Sequence, residues 1–169
     1  MPRLHEIIET ALPIDETFAF IADFANSEVW DPGTVTSRRV GDGPIGPGTS
    51  YDLTVRMGGG TVPMTYTVEA YEPGRRVVLH GEGARVIARD DIQFEATPAG
   101  GTRVDYVADL QLKGLMGLLT PFLGGTFRKI GEDARVGMTK ALAERAADAR
   151  SGAADERSGA DPRSGAEAR

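Results

Sequence analysis

The sequence contains no cysteine and only two histidines, His5 and His80. Without cysteine there is neither a disulfide nor a thiolate metal ligand, and two histidines are too few for most zinc sites. No run of about 20 apolar residues is present to span a bilayer, and the first segment, MPRLHEIIET, lacks the apolar core of a signal peptide. We therefore predict a cytoplasmic protein without a metal, a cofactor or stable membrane insertion.

Basic residues are also scarce. The chain of 169 residues has 19 Lys and Arg against 25 Asp and Glu, a net charge of −6. This balance argues against phosphate-driven affinity for nucleic acid, and no basic run offsets it. The length suits one domain with a substantial core. The composition leaves the oligomeric state open.

Large apolar side chains are missing from the C-terminal end. The motif Arg-Ser-Gly-Ala begins at positions 150, 157 and 163, and no aromatic or branched apolar residue follows Leu142. Such a segment buries too little surface to become ordered. We predict a folded domain over residues 1–147 and a disordered tail over 148–169.

Between these limits the pattern predicts an α+β domain. A strand over 3–12 precedes a helix over 13–24, with Asp15 as its N-cap, and a short helical turn that Asp31-Pro32-Gly33 ends. Turn sequences then separate six further segments of strand character. These cover residues 35–41, 49–57, 61–72, 75–83, 85–96 and 102–112.

Strict alternation in the later strands places apolar side chains on one face of the predicted sheet and polar ones on the other. The segment from Tyr51 to Met57 shows it, as does the one from Val104 to Leu112. The cover for the apolar face is an amphipathic helix over 113–148, with Pro121 and Gly124-Gly125 predicted to kink or split its first turns. The sequence thus predicts a covered antiparallel sheet.

Three stretches in this order resemble the SRPBCC superfamily, with the START-like helix-grip fold, in its polyketide cyclase/dehydrase and lipid transport branch. They are FAFIADFANSEVWDPGT, EPGRRVVLHGEG and TRVDYVADLQLKGLMGLLTPFL, and the likeness covers about residues 3–147. The resemblance implies a curved seven-stranded sheet that grips the C-terminal helix, with an apolar cavity between them for lipids, polyketides, sterols or hydrophobic hormones. Because members of this superfamily differ in activity, the fold alone does not determine the function.

We expect inward side chains and residues of the kinked turns to contact a hydrophobic ligand. Trp30 either lines the cavity or plugs the short helix against the sheet, and each inward tyrosine hydroxyl binds either the ligand or a neighbouring group. The kinked turns are interpreted as a gate for the ligand. The predicted contacts are Trp30, Tyr51, Leu53, Met64, Tyr66, Phe94, Tyr106, Leu110, Leu119 and Phe122.

Asp90, His80 and the inward tyrosines are the candidates for acid–base chemistry. Asp90 is in register with Ile92 and Phe94, so its carboxyl either points inward, where burial would raise its pKa, or lies at the strand end, solvated or paired with Arg85 or Arg89. The face of His80 is not determined by the pattern. Asp31 is expected to cap or orient its loop.

Three functional hypotheses remain from the sequence. The first is a carrier or sensor for one hydrophobic small molecule. The second is a polyketide cyclase or dehydratase that uses an inward acid–base residue. The third is a structural domain whose cavity is filled by side chains.

Overall fold

The computed structural model describes residues 3–57, 59–114 and 124–158. Seven strands form one antiparallel sheet in the order β1-β7-β6-β5-β4-β3-β2, so each neighbouring pair but β1 and β7 is consecutive in sequence. The strands are β1 Arg3–Thr10, β2 Thr34–Val40, β3 Ser50–Met57, β4 Gly60–Glu72, β5 Arg76–Gly83, β6 Val86–Ala96 and β7 Thr102–Leu112. The predicted meander is confirmed, and the first strand closes against the last.

Two short helices, α1 Ile14–Ala22 and α2 Ser27–Trp30, lie between β1 and β2, with a 3₁₀ turn, Phe24–Asn26, between them. The long helix α3, Gly124–Ser158, follows the sheet. It contacts β1 and α2, and Met138 and Leu142 on it are fully buried. This is the helix-grip architecture that the resemblance implied. Within the described ranges, no helix is long and apolar enough to cross a membrane.

The start of α1 differs from the prediction. The N-cap is Pro13, which makes no side-chain cap, and Asp15 lies inside the first turn. Helical bonding begins earlier because the Thr17 amide donates to the Pro13 carbonyl at 2.9 Å. The Thr17 hydroxyl also donates to that carbonyl and to the carbonyl of Leu12. The helix therefore begins without a side-chain cap, and Asp15 adds only favourable charge near its N-terminus.

Helix α3 approaches α2 closely at a glycine. A Cβ on Gly137 would collide with the carbonyl oxygen of Trp30 and would lie 2.8 Å from Cδ of Pro32. Real Cβ atoms do not come so close to such neighbours, so the helix can dock here only with glycine. The contact holds the Trp30 segment between α3 and the sheet.

The predictions for the start of the C-terminal helix and for the tail are not tested by the described residues. The predicted kink at Pro121 and the predicted gate, including Leu119 and Phe122, lie outside the described residues. Helical backbone continues past the predicted domain boundary to Ser158, whereas residues 159–169 lie outside the described ranges. The division at residue 147 and the disordered tail stay predictions.

Candidate functional site

A partly open cavity of about 100 Å³ lies between the inner face of the sheet and α3. Most of its walls are apolar, with a few polar groups at definite positions. The described lining residues are Leu4, Asp31, Gly33, Val55, Arg56, Met57, Met64, Tyr66, Val86, Asp90, Tyr106, Ala108, Leu110, Phe127, Ile130, Gly131 and Ala134. An apolar pocket with few convergent polar groups is typical of a small-molecule site.

Small residues create the space. Gly131 and Ala134 lie one turn apart on α3, and Ala108 faces them from β7. A Cβ on Gly131 would lie 3.0 Å from a carboxylate oxygen of Glu6 and 3.4 Å from a methyl carbon of Leu4. The helix therefore crosses the sheet closely on one side of the cavity while its short side chains leave a void.

Asp90 and Tyr106 form the buried polar pair of the cavity wall. Asp90, on β6, is 3% exposed and Tyr106, on β7, is 9% exposed. The Tyr106 hydroxyl donates to Oδ1 of Asp90 at 2.5 Å, and Oδ2 of Asp90 has no hydrogen-bond partner among the described residues. Burial raises the pKa of Asp90 to about 7, although the bond from Tyr106 acts in the opposite direction. Of the two positions that the sequence left open for Asp90, the structure shows the inward one.

Asp31 adds a second carboxyl to the same cavity. Its Oδ1 accepts from the Gly33 amide at 2.8 Å and its Oδ2 from the Thr34 hydroxyl at 3.0 Å. These bonds orient the loop after α2, as expected from the sequence. Burial nevertheless raises the pKa of Asp31. The carboxylates of Asp31 and Asp90 also repel each other, which further raises the pKa of Asp90.

Tyr66 contributes an aromatic wall. Its ring covers the backbone of Gly81 on β5, where an added Cβ would lie 2.5 Å from the ring. Its hydroxyl has no hydrogen-bond partner among the described residues, and burial raises its pKa well above the ordinary tyrosine value. At neutral pH this hydroxyl is therefore a neutral donor beside the cavity.

The structure brings four of the ten predicted ligand contacts to the cavity wall: Met64, Tyr66, Tyr106 and Leu110. Four others are buried elsewhere in the core and do not line this cavity: Trp30, Tyr51, Leu53 and Phe94. Leu119 and Phe122 lie outside the described residues. Direct ligand contact stays a prediction for all ten.

Trp30 packs against other aromatic rings. It is 1% exposed, and its ring lies edge-on to Phe24 at 5.6 Å and to Tyr106 at 6.2 Å between centroids. Phe24 also contacts Tyr66 at 5.0 Å. This geometry favours the plug interpretation, in which the indole fixes α2 on the sheet beside the cavity and supports the wall residue Tyr106 from behind.

His80 is removed as an acid–base candidate for the cavity. Val77 and Leu79 are buried on the inner face of β5, so His80 lies on the outer face, with its side chain 39% exposed and Nδ1 3.9 Å from a carboxylate oxygen of Glu69. The pattern could not predict this, because Val78 lies on the same face as His80 and is itself buried.

Two further features lie away from the cavity. An open trough of about 580 Å³ runs over the outer face of β2 to β5, lined by polar side chains such as Arg38, Asp52 and Glu82. An ion pair with 3.3 Å between Arg38 and Asp52 already occupies part of it, so the trough is a solvated surface. In the part of the chain that the structure describes, no three His, Asp or Glu side chains group as metal ligands.

The sequence interpretation missed several wall residues, including Leu4, Phe127, Gly131 and Ala134. The spacing of Gly131 and Ala134, three residues apart, could have indicated a cavity. Small residues on the buried face of a long helix leave room between the helix and the sheet. Apart from its position directly after Trp30, nothing in the sequence indicated that Asp31 lines the cavity.

Comparison with known proteins agrees with this architecture. The family model described as polyketide cyclase / dehydrase and lipid transport matches residues 1–147. No curated protein matches the sequence significantly.

Solved structures with the same fold come from several bacteria. The protein TTHA0849 from Thermus thermophilus superposes with a TM-score of 0.69 at 16% identity, over 83% of this chain and 97% of that one. A START superfamily protein from Mycobacterium smegmatis gives 0.64 at 16% identity, over 85% and 95%. The Zhui aromatase/cyclase from Streptomyces sp. R1128 gives 0.63 at 18% identity, over 94% and 96%. At these identities the likeness establishes the fold alone.

Proposed function

The chain belongs to the polyketide cyclase / dehydrase and lipid transport family, and we propose that it binds a hydrophobic small molecule in the cavity between the sheet and α3. The proposed role is that of a carrier or sensor. The bound molecule is a small, largely apolar compound, or the apolar end of a larger one such as a lipid or a polyketide.

One observation carries this proposal: the largely apolar cavity contains a buried carboxyl group, Asp90, with one oxygen that no described residue satisfies. Buried polar atoms in folded proteins nearly always have partners. A core completely filled by side chains would not leave this space beside a buried carboxyl group. A ligand with an apolar body and one polar group supplies both missing contacts.

The size of the cavity limits the ligand. Sites for drug-sized molecules are typically about 300–1,000 Å³, whereas this cavity measures about 100 Å³. A compound with about five non-hydrogen atoms, such as isobutanol, is therefore the appropriate probe, since an apolar cavity of about 150 Å³ holds benzene.

The test is titration of the ¹⁵N-labelled full chain with isobutanol, followed by NMR. We expect saturable shifts of the amides of Tyr66, Ala108 and Gly131, on three elements around the cavity. Ala108→Leu fills the cavity and should abolish the shifts. The matched variant Ala84→Leu, at an exposed position between β5 and β6, should retain them. Saturable shifts that persist in Ala108→Leu would contradict binding at this site.

A polyketide cyclase or dehydratase is the second candidate, and the pKa of Asp90 supports it. A pKa of about 7 keeps both protonation states populated near neutral pH, as a general acid–base group requires. An aldol-type ring closure needs a base to remove a proton beside a carbonyl, and the subsequent loss of water needs an acid to protonate the departing hydroxyl.

This alternative makes its own prediction. A poly-β-ketone probe should be cyclised with loss of one water per ring closed, and Asp90→Asn should abolish the conversion while isobutanol still binds. Conversion that continues unchanged in Asp90→Asn would exclude Asp90 as the catalytic group.

A further inference from the structure

The polar groups of the cavity are unbalanced in charge. Two carboxyls, Asp31 and Asp90, line it, and Arg56 is the sole basic side chain among its described lining residues. Arg56 is exposed, and its Nε donates to the Pro32 carbonyl at 3.3 Å. Neither carboxyl forms an ion pair with Arg56 or with another described basic residue. On the outer face of the sheet Arg76 pairs with Asp91 at 2.6 Å, whereas no cation on the described part of the cavity wall pairs with either acid.

Asp90 is the group that requires a partner. Its side chain is almost completely buried and lines the cavity. Tyr106 satisfies Oδ1, whereas Oδ2 has no donor among the described residues. A buried carboxylate oxygen without a donor is costly, and a charge-assisted hydrogen bond compensates better than a neutral one.

We propose that the cavity selects a ligand with a protonated amine on a small apolar body, and that its ammonium group donates to the carboxylate of Asp90. This inference rests on the ligand-binding function proposed above. An ammonium group has three donors and no acceptor, which suits the Asp90 carboxylate, since one of its oxygens lacks a donor among the described residues. The tyrosine rings at positions 66 and 106 and the ring of Phe127 line the same space, and aromatic faces attract cations.

Competing ligand chemistries fit the wall less well. A hydroxyl also donates to a carboxylate but brings no compensating charge. A carbonyl only accepts hydrogen bonds, so even where the Tyr66 hydroxyl donates to it, the ionised carboxylate of Asp90 gains no donor, and the neutral form of Asp90 suits it better. The charges of Asp31 and Asp109 oppose ionisation of Asp90, and a cation within the cavity would relieve the first of these repulsions directly.

Binding of an amine, an alcohol and a ketone should therefore depend on pH in different ways. The groups facing Asp90 are the hydroxyls of Tyr66 and Tyr106, whose pKa values lie well above the ordinary one, and the carboxyl of Asp31. Since Asp90 has a pKa of about 7, the amine should bind about tenfold more weakly at pH 6 than at pH 8. A ligand that requires neutral Asp90 should show the opposite change.

The experiment compares isobutylamine, isobutanol and butanone, which have equal numbers of non-hydrogen atoms, by NMR titration of the full chain at pH 6 and pH 8. We expect isobutylamine to bind at least tenfold more tightly than isobutanol at pH 8 and to lose this preference at pH 6. Equal affinities for all three, or tightest binding of butanone, would overturn the amine proposal and leave the cavity proposal intact. Absence of binding by any of the three would overturn both.

A variant pair assigns the preference to Asp90. In Asp90→Asn, isobutanol should still bind but the preference for isobutylamine should disappear. Asp105→Asn removes the same charge from the opposite face of the sheet, where Asp105 pairs with His5 at 2.9 Å, and should retain the preference. If the two variants lost the preference equally, general attraction by the acidic protein would explain it and the proposed contact would be wrong.

Discussion

The hydroxyl of Tyr106 lies 2.5 Å from Oδ1 of Asp90, on the neighbouring strand, within the wall of the cavity. This donation favours the charged form of the carboxyl, yet burial favours the neutral form more strongly, and the pKa of Asp90 rises to about 7. A carboxyl in this balance changes its charge near neutral pH. The charge of the pair therefore depends on pH near neutrality.

The first prediction concerns stability and pH. Asp90 has a pKa of about 7 in the folded chain against an ordinary value of 3.8, so between these values the folded state holds the proton more tightly. Its contribution to the free energy of unfolding therefore falls as pH rises from about 4 to about 7, by up to about 1.4 kcal/mol per unit. Between pH 5 and pH 8, wild type should lose about 2 to 3 kcal/mol relative to Asp90→Asn in urea denaturation.

The exposed substitution Asp52→Asn is the control for that experiment. It should show no comparable pH-dependent difference from wild type, because it removes a carboxylate from the solvated face of β3 beside Arg38, which stays charged over this pH range. A parallel pH dependence of wild type and Asp90→Asn would show that Asp90 has an ordinary pKa.

The second prediction concerns the donor of the pair. Tyr106→Phe removes the sole hydrogen bond that Asp90 receives from a described side chain. The loss should cost about 2 to 3 kcal/mol at pH 8, where the carboxyl is charged, and about 1 kcal/mol at pH 5. Tyr66→Phe removes a hydroxyl that has no partner among the described residues and should cost less than about 1 kcal/mol at either pH. Equal losses in the two variants would contradict a special bond to Asp90.

The third prediction concerns the docking of α3. Gly137→Ala places a methyl group against the Trp30 carbonyl and Pro32, and should destabilise the fold by about 2 kcal/mol or more through overpacking. Gly152→Ala, on the same helix, meets open space and should instead stabilise it by about 0.5 to 1 kcal/mol. Thermal denaturation of the two variants distinguishes these outcomes. A stabilising Gly137→Ala would mean that the helix does not approach α2 so closely.

The fourth prediction separates the two interpretations of Trp30. Because the indole packs on Phe24 and Tyr106 and does not line the described cavity, Trp30→Phe should lower stability by roughly 1 to 3 kcal/mol. Isobutanol affinity should change by less than about twofold. A large loss of isobutanol affinity at unchanged stability would instead show that Trp30 lines the binding site.

The strands were predictable because one face of the sheet is covered and the other is wet. Strict alternation from Val104 to Ala108 and the turn sequences between segments leave few alternatives, and the predicted strands agree with the observed ones to within two residues. The start of α1 was less predictable. Pro13 begins the helix by backbone geometry alone, so the capping preference of Asp15 gave the wrong residue.

The site was predictable only in part. Register made the inward position of Asp90 one of two alternatives, since Ile92 and Phe94 share its face of β6. The cavity itself depends on how closely α3 packs at Gly137 and on the small volumes at Gly131 and Ala134. These are distances between elements far apart in sequence, and periodicity within an element carries no information about them.

The most direct test of the central claim is native mass spectrometry of wild type, Ala84→Leu and Ala108→Leu purified identically, followed by solvent extraction of any bound compound. We predict a discrete additional mass on wild type and Ala84→Leu that is absent from Ala108→Leu. The same mass on all three proteins would contradict binding in this cavity. Bare protein in every case, still unchanged after incubation with lipids, aromatic polyketides and small amines, would contradict the ligand-binding function and favour a structural domain.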